Sequence, residues 1–219
     1  MSNVVSRSQV RDLREALDFD QAHATHVAVA CERLFDEARH LHGLTKTSRP
    51  LLRVGATLHA RNGHDAAHAP PLERPDKQLH EAFPDLTRTQ RGIVQHSLSL
   101  IASGNGAPQG TVPRFHAFPA PLGDEISQVG YRVAALVHIG DGLDAAGTQD
   151  THLVGLDDDG EALRLLVAGP SAAGNAQAAL ERAALWNALM PRPVRAVTLH
   201  RGRPPRPGLI LPSHSVAEA

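Results

Sequence analysis

The spacing of apolar positions changes along the chain from a helical period to an alternating one. Val10, Leu13 and Leu17 recur at helical spacing and predict a short amphipathic helix over residues 8–17. Asp20 reads as the N-cap of a longer helix, in which Val27, Ala30, Leu34 and Ala38 share one face up to about Leu41, with Gly43 as the stop. Pro50 opens a third helix, and Leu51, Leu52, Val54 and Leu58 make it apolar nearly all round, so it should be central, ending near Gly63. Residues 64–84 lose this period among His, Pro, Asp and charged positions and are expected to form a long loop. Thr87 and Gln90 then form a capping box ahead of a helix carrying Ile93, Val94, Leu98 and Ile101, which stops at Gly104. After an irregular stretch over 105–120, Ile126, Val129, Val133, Leu136 and Val137 predict a helix over about 124–139.

Beyond Gly147 the pattern becomes that of strands. Residues 151–156 and 162–168 flank Asp157-Asp158-Asp159-Gly160, a β-hairpin signature. A helix over about 175–190 follows, with Ala179, Ala183, Trp186 and Met190 along one side, and residues 194–199 alternate as a last strand. The expected fold is therefore mainly α: a helical body over 1–147, a small C-terminal ββαβ appendage over 148–200 packed on it, and a flexible Arg/Pro-rich tail over 201–219.

Charge narrows the functional classes. Lys plus Arg number 22 and Asp plus Glu 23, a net charge of −1 that argues against a general nucleic-acid binder. No apolar run reaches the roughly 18 residues of a membrane span. Arg7, Arg11, Asp12, Arg14, Glu15 and Asp18 interrupt the first twenty residues, so no signal-peptide core is expected either, and the expected compartment is cytoplasmic. Cys31 is the single cysteine, which excludes a disulfide framework and a cysteine zinc site; its apolar neighbours make it a small buried hydrophobe. No phosphate loop of the G-x-x-x-x-G-K-[ST] kind and no G-x-S-x-G elbow is present. Gly104, Gly106 and Gly110 follow a helix rather than a strand, the wrong context for a dinucleotide fingerprint.

Histidine, at 14 residues, is over-supplied against an aromatic content of only 3%, so its placement carries the remaining information. His23 lies near the start of the second helix, His59 at the end of the third, and Asp141 closes the helix before the appendage. Three such groups at helix ends could converge on one mouth of the bundle, and imidazole with carboxylate suits a divalent first-row metal. The plainer alternative is that each histidine caps or packs at its helix end, as expected for His40 and His42 ahead of Gly43.

The segments around these residues are His23 to Leu44, H-A-T-H-V-A-V-A-C-E-R-L-F-D-E-A-R-H-L-H-G-L; Arg49-Pro50-Leu51-Leu52 leading into G-A-T-L-H-A-R-N-G; and Ala134 to Asp144, A-A-L-V-H-I-G-D-G-L-D. In order and spacing they resemble the C-terminal HD-type helical domain of the exopolyphosphatase / guanosine pentaphosphate phosphatase (Ppx/GppA) family. The resemblance covers about residues 8–199, weakly over 64–120, and implies an HD-type helical bundle ending in the hairpin, helix and strand predicted above. It also implies metal ligation by His23, His59 and Asp141. The family's paired Asp is replaced by Ala60, which has no ligand atom; the literal pair His64-Asp65 falls in the loop and is taken as a decoy. The Arg that often follows the A-D-G-L-D pattern is Ala145 here, and the actin-like catalytic domains of the family have no counterpart in this chain.

Three functions follow as expectations. The first is a stand-alone, catalytically degenerate HD-type module that binds polyphosphate, a nucleotide or a partner protein, with Arg49, Arg53, Arg61, Arg88 and Arg91, together with Lys46 and Lys77, as anion contacts. The second is a metal-dependent phosphohydrolase with one divalent ion (Zn²⁺, Mn²⁺ or Mg²⁺) on His23, His59 and Asp141 and with His64 or His68 as a replacement ligand or acid. The third is a structural or interaction protein dimerising through the Ala-rich helix over 177–189 or through a face of the bundle, with Trp186 and Met190 in the interface or in the core. A homodimer is expected on the resemblance, with no membrane and no specific nucleic acid as partner.

Overall fold

The computed structural model describes residues 20–59, 75–104 and 123–199. Within these the chain is mainly helical with one three-stranded sheet. The predicted helix over 8–17 and the tail after 200 lie outside the described residues, as do Ala60, Arg61, His64, Asp65 and His68.

Helix α1 (Gln21–Glu37) starts where Asp20 accepts a hydrogen bond from the His23 backbone N–H at 3.0 Å, so the cap fixes the turn that carries the first histidine. Its inner face buries Val27, Cys31, Leu34 and Phe35. The helix breaks at Ala38, continues as the single turn α2 (Arg39–His42), and stops at Gly43, whose φ of 63° is the left-handed cap conformation glycine adopts without strain. His42 does cap here: Nε2 donates to the Phe35 carbonyl at 2.8 Å and Nδ1 accepts from the Leu44 N–H at 2.9 Å. A 3₁₀ turn (Lys46–Ser48) leads into α3 (Arg49–Leu58), which buries every residue from Leu51 to Leu58 except Arg53, as its unbroken apolar pattern predicts.

The expected loop over 64–84 contains a helix, α4 (Pro75–Ala82). It opens with proline, and among the described side chains Leu79 and Phe83, one turn apart, are its buried anchors, too short a pattern to show a period in the sequence. Helix α5 (Arg88–Gly104) begins with the reciprocal capping box, Thr87 N–H to Gln90 Oε1 at 2.9 Å and Gln90 N–H to Thr87 Oγ1 at 3.2 Å. Helix α6 (Asp124–Gly142) packs against α1, α3 and α5 and buries every residue from Val133 to Gly142.

Strands β1 (His152–Asp158) and β2 (Leu163–Ala168) form the antiparallel hairpin, and β3 (Val194–Thr198) lies parallel to β2. The crossover between β2 and β3 is two helices, α7 (Ala172–Glu181) and α8 (Ala184–Leu189), rather than the single helix expected over 175–190. The break falls at Arg182-Ala183, where no glycine or proline announces it. Trp186 is fully enclosed and donates its indole N–H to the Arg192 carbonyl at 2.9 Å; Ala179 and Ala183 are enclosed too. That face is therefore core and is not available to a second copy. One continuous apolar cluster runs from α1 and α3 through α6 to α7, α8 and the sheet.

Among the described residues no helix is long and apolar enough to cross a membrane.

Candidate metal centre

His23 stands in the first turn of α1, His59 directly after α3, and Asp141 in the last turn of α6, so three helix ends meet at one point. The structure brings all three predicted residues together. His23 Nε2 lies 3.2 Å from His59 Nε2, and each of these nitrogens lies 3.2 Å from Asp141 Oδ1. All three residues are buried.

Two glycines flanking Asp141 make this convergence possible. A Cβ on Gly140 would stand 2.4 Å from Cys31 Sγ, and one on Gly142 would stand 2.4 Å from the Ala179 Cα. The helix end carrying Asp141 is therefore approached closely by α1 on one side and by the α7 backbone on the other. Cys31 fills the space beside Gly140, and burial pushes its thiol pKa well up, so it is a packing residue.

The other nitrogen of each imidazole is already committed. His23 Nδ1 donates to Asp144 Oδ2 at 2.8 Å, and His59 Nδ1 donates to the Ala56 carbonyl at 2.5 Å. Asp144 is fully enclosed and is itself held by the Gln149 backbone N–H at 2.8 Å and the Gln149 side-chain amide at 3.0 Å. Gln149 adopts a φ of 53° in doing so, a left-handed conformation uncommon for a side chain of this kind. This is the arrangement by which outer carboxylates and carbonyls orient metal-binding histidines. With both Nδ1 atoms protonated, neutral rings direct two lone pairs and one carboxylate oxygen at a common point. Three acceptors facing one another repel unless a cation lies between them. First-row ions with bonds of about 2.0–2.1 Å give ligand–ligand edges of roughly 2.9–3.4 Å, from octahedral to tetrahedral. The observed triangle fits that range, and the group could hold a metal ion.

A proton is the other cation that could sit there. Burial works against charge on His23, but hydrogen bonds and charges from Asp141 and Asp144 outweigh it and raise the pKa. Burial likewise works against the Asp141 carboxylate. Its bonds to His23 and His59, with the charge of nearby Arg182, overcome this and hold its pKa well below the ordinary carboxylate range.

Arg182, the residue that caps α7, pairs through Nη1 with Asp141 Oδ2. It is 41 residues from its partner, and nothing local in the sequence marks it. Asp144, by contrast, is the last residue of the G-D-G-L-D run and could have been found as a second carboxylate one turn after Asp141.

Of the predicted anion contacts, Arg61 lies outside the described residues, and Arg49, Arg53 and Arg91 have partners other than the three clustered residues. Arg49 is paired with Asp36 and Glu32, each at 3.0 Å, and Arg53 with Glu32. Arg91 donates to the Leu86 carbonyl at 2.7 Å; Arg88 and Lys46 are exposed. The Lys77 side chain lies outside the described residues. A groove of about 680 Å³ runs between α1 and β1, lined by His26, Val29, Arg33, Thr151 and His152 among others, but by none of the three clustered residues.

Neither protein-family models nor curated proteins give a match to this chain.

Proposed function

We propose that this protein is an HD-type module related to the C-terminal domain of the exopolyphosphatase / guanosine pentaphosphate phosphatase family, which holds one divalent cation on His23, His59 and Asp141 and binds a phosphate-bearing ligand there. The observation that carries the proposal is the triangle of three buried acceptors with 3.2 Å edges, each imidazole locked by its own outer acceptor. The motif resemblance supports the choice of ligand class. A bound cation with three protein ligands would supply Lewis acidity at an open position.

The chain's own residues favour binding over turnover. Ala60 stands where the resemblance expects a further carboxylate ligand. Asp144 is occupied by His23 and Gln149, so no carboxylate of the described centre is free to take a proton from water. Asp144 instead orients His23 through Nδ1 and keeps its Nε2 directed inward.

The open position of a three-ligand centre also suits metal-dependent phosphoric anhydride hydrolysis, and one assay separates the two. Protein loaded with Mn²⁺ or Zn²⁺ is incubated with short-chain polyphosphate, and both retention of the chain and release of inorganic phosphate are measured. Metal-dependent retention without release is expected. Release that disappears in His59→Ala would establish hydrolysis instead, and neither retention nor release would overturn the proposal.

A further inference from the structure

We infer that Arg182 is the anion-holding residue of this centre: its guanidinium takes an oxygen of a small tetrahedral oxyanion, such as the terminal phosphoryl group of the ligand. The inference rests on the metal centre proposed above and adds to it the residue that selects the ligand's charge.

The placement is specific. Arg182 follows Ala179 by three residues, and Ala179 is where α7 meets the backbone of Gly142. That contact, and the helix break at Arg182 itself, deliver the guanidinium to Asp141. It pairs with the carboxylate oxygen turned away from the two imidazoles. Its side chain is 26% exposed, against 7% or less for the three clustered residues, so it is the group that leads from the buried centre towards solvent. Of the five N–H donors of a guanidinium fork, only those on Nη1 have a hydrogen-bond partner among the described residues. The charges agree. Two carboxylates, Asp141 and Asp144, one guanidinium and one divalent cation leave a single net positive charge beside neutral imidazoles, which favours an anion in the open position.

A merely structural Arg182 would pin α7 to α6 and nothing more. The two roles separate when Co²⁺ is bound first and inorganic phosphate is titrated afterwards, with the visible Co²⁺ spectrum as readout. Wild type should take up Co²⁺ and then show a saturable phosphate-induced spectral change. Arg182→Gln should weaken the phosphate affinity about 10- to 100-fold, the usual loss for a charge-assisted hydrogen bond, when both proteins are titrated with their metal site saturated by Co²⁺. Arg182→Lys, which keeps the charge, should lose less and serves where Arg182→Gln unfolds. Unchanged phosphate affinity in both variants overturns the role of Arg182 while leaving the metal centre intact. Failure of wild type to take up Co²⁺ at all overturns the metal centre, and the inference with it.

Discussion

His23 and His59 face each other through their Nε2 atoms at 3.2 Å, although each has already spent its Nδ1 proton on a different acceptor, Asp144 and the Ala56 carbonyl. Two lone pairs at that distance are stable only around a positive charge, either a metal ion or a proton taken up by His23.

The first consequence concerns Asp144, whose carboxylate hydrogen-bonds only His23 and Gln149 among the described residues and would not itself ligate an ion. Asp144→Asn keeps an acceptor for His23 Nδ1–H but removes the charge that makes the ring a better donor to a metal. Affinity for Zn²⁺, measured by competition with a chromophoric chelator, should fall about 10- to 100-fold with one site per chain retained. Equal affinity in wild type and variant would remove Asp144 from the account.

The two glycines beside Asp141 give a second, purely steric prediction. Gly140→Ala drives a methyl into Cys31 Sγ and should cost about 1–3 kcal/mol in denaturant unfolding. Combining it with Cys31→Ala removes the obstructing sulfur, so the double variant should be more stable than the sum of the two single losses predicts. Gly142→Ala meets backbone at Ala179 and has no such partner to trim. Additive losses at Gly140 and Cys31 would contradict the close approach of α1 to α6.

Acid sensitivity follows from His138, which is buried on α6 with no partner for Nε2 among the described residues. Burial pulls its pKa down from 6.5 to about 4, against the attraction of Asp141. Between those values the unfolded chain binds a proton that the native protein refuses, so stability falls as pH drops from 6.5 towards 4. The loss amounts to about 3 kcal/mol at its full extent. The raised pKa of His23 acts in another window. In metal-free protein its contribution is complete below 6.5 and is lost as pH rises through the folded value. Unfolding free energy measured from pH 4 to 7 should therefore slope upward in wild type and be flatter in His138→Leu; parallel curves would assign the acid loss to other groups.

How much of this could be read from the chain itself depends on how local each signal is. Asp20, Gly43 and the Thr87–Gln90 box are contacts within a few residues, and each helix boundary they predict is where the structure has it. The convergence of His23, His59 and Asp141 was legible because each sits at the end of a strongly patterned helix. The helix at Pro75–Ala82 was not, since Leu79 and Phe83 are the large apolar positions of this short stretch and two are too few to set a period. Arg182 was hidden for a different reason: its partner is 41 residues away, and no glycine or proline marks the helix break at which it stands. Trp186, offered by its spacing as either interface or core, is settled by its enclosure and its bond to Arg192.

Elemental analysis of protein purified without chelator, paired with thermal melts in added Zn²⁺, Mn²⁺ and Mg²⁺, tests the centre most directly. Close to one first-row ion per chain is expected, with a melting temperature raised by roughly 5–10 °C at a hundredfold excess of ion over its dissociation constant, and loss of both in His23→Ala/His59→Ala. No stoichiometric ion in wild type, with a melting temperature that none of the three ions moves, would mean that the triangle holds only a proton.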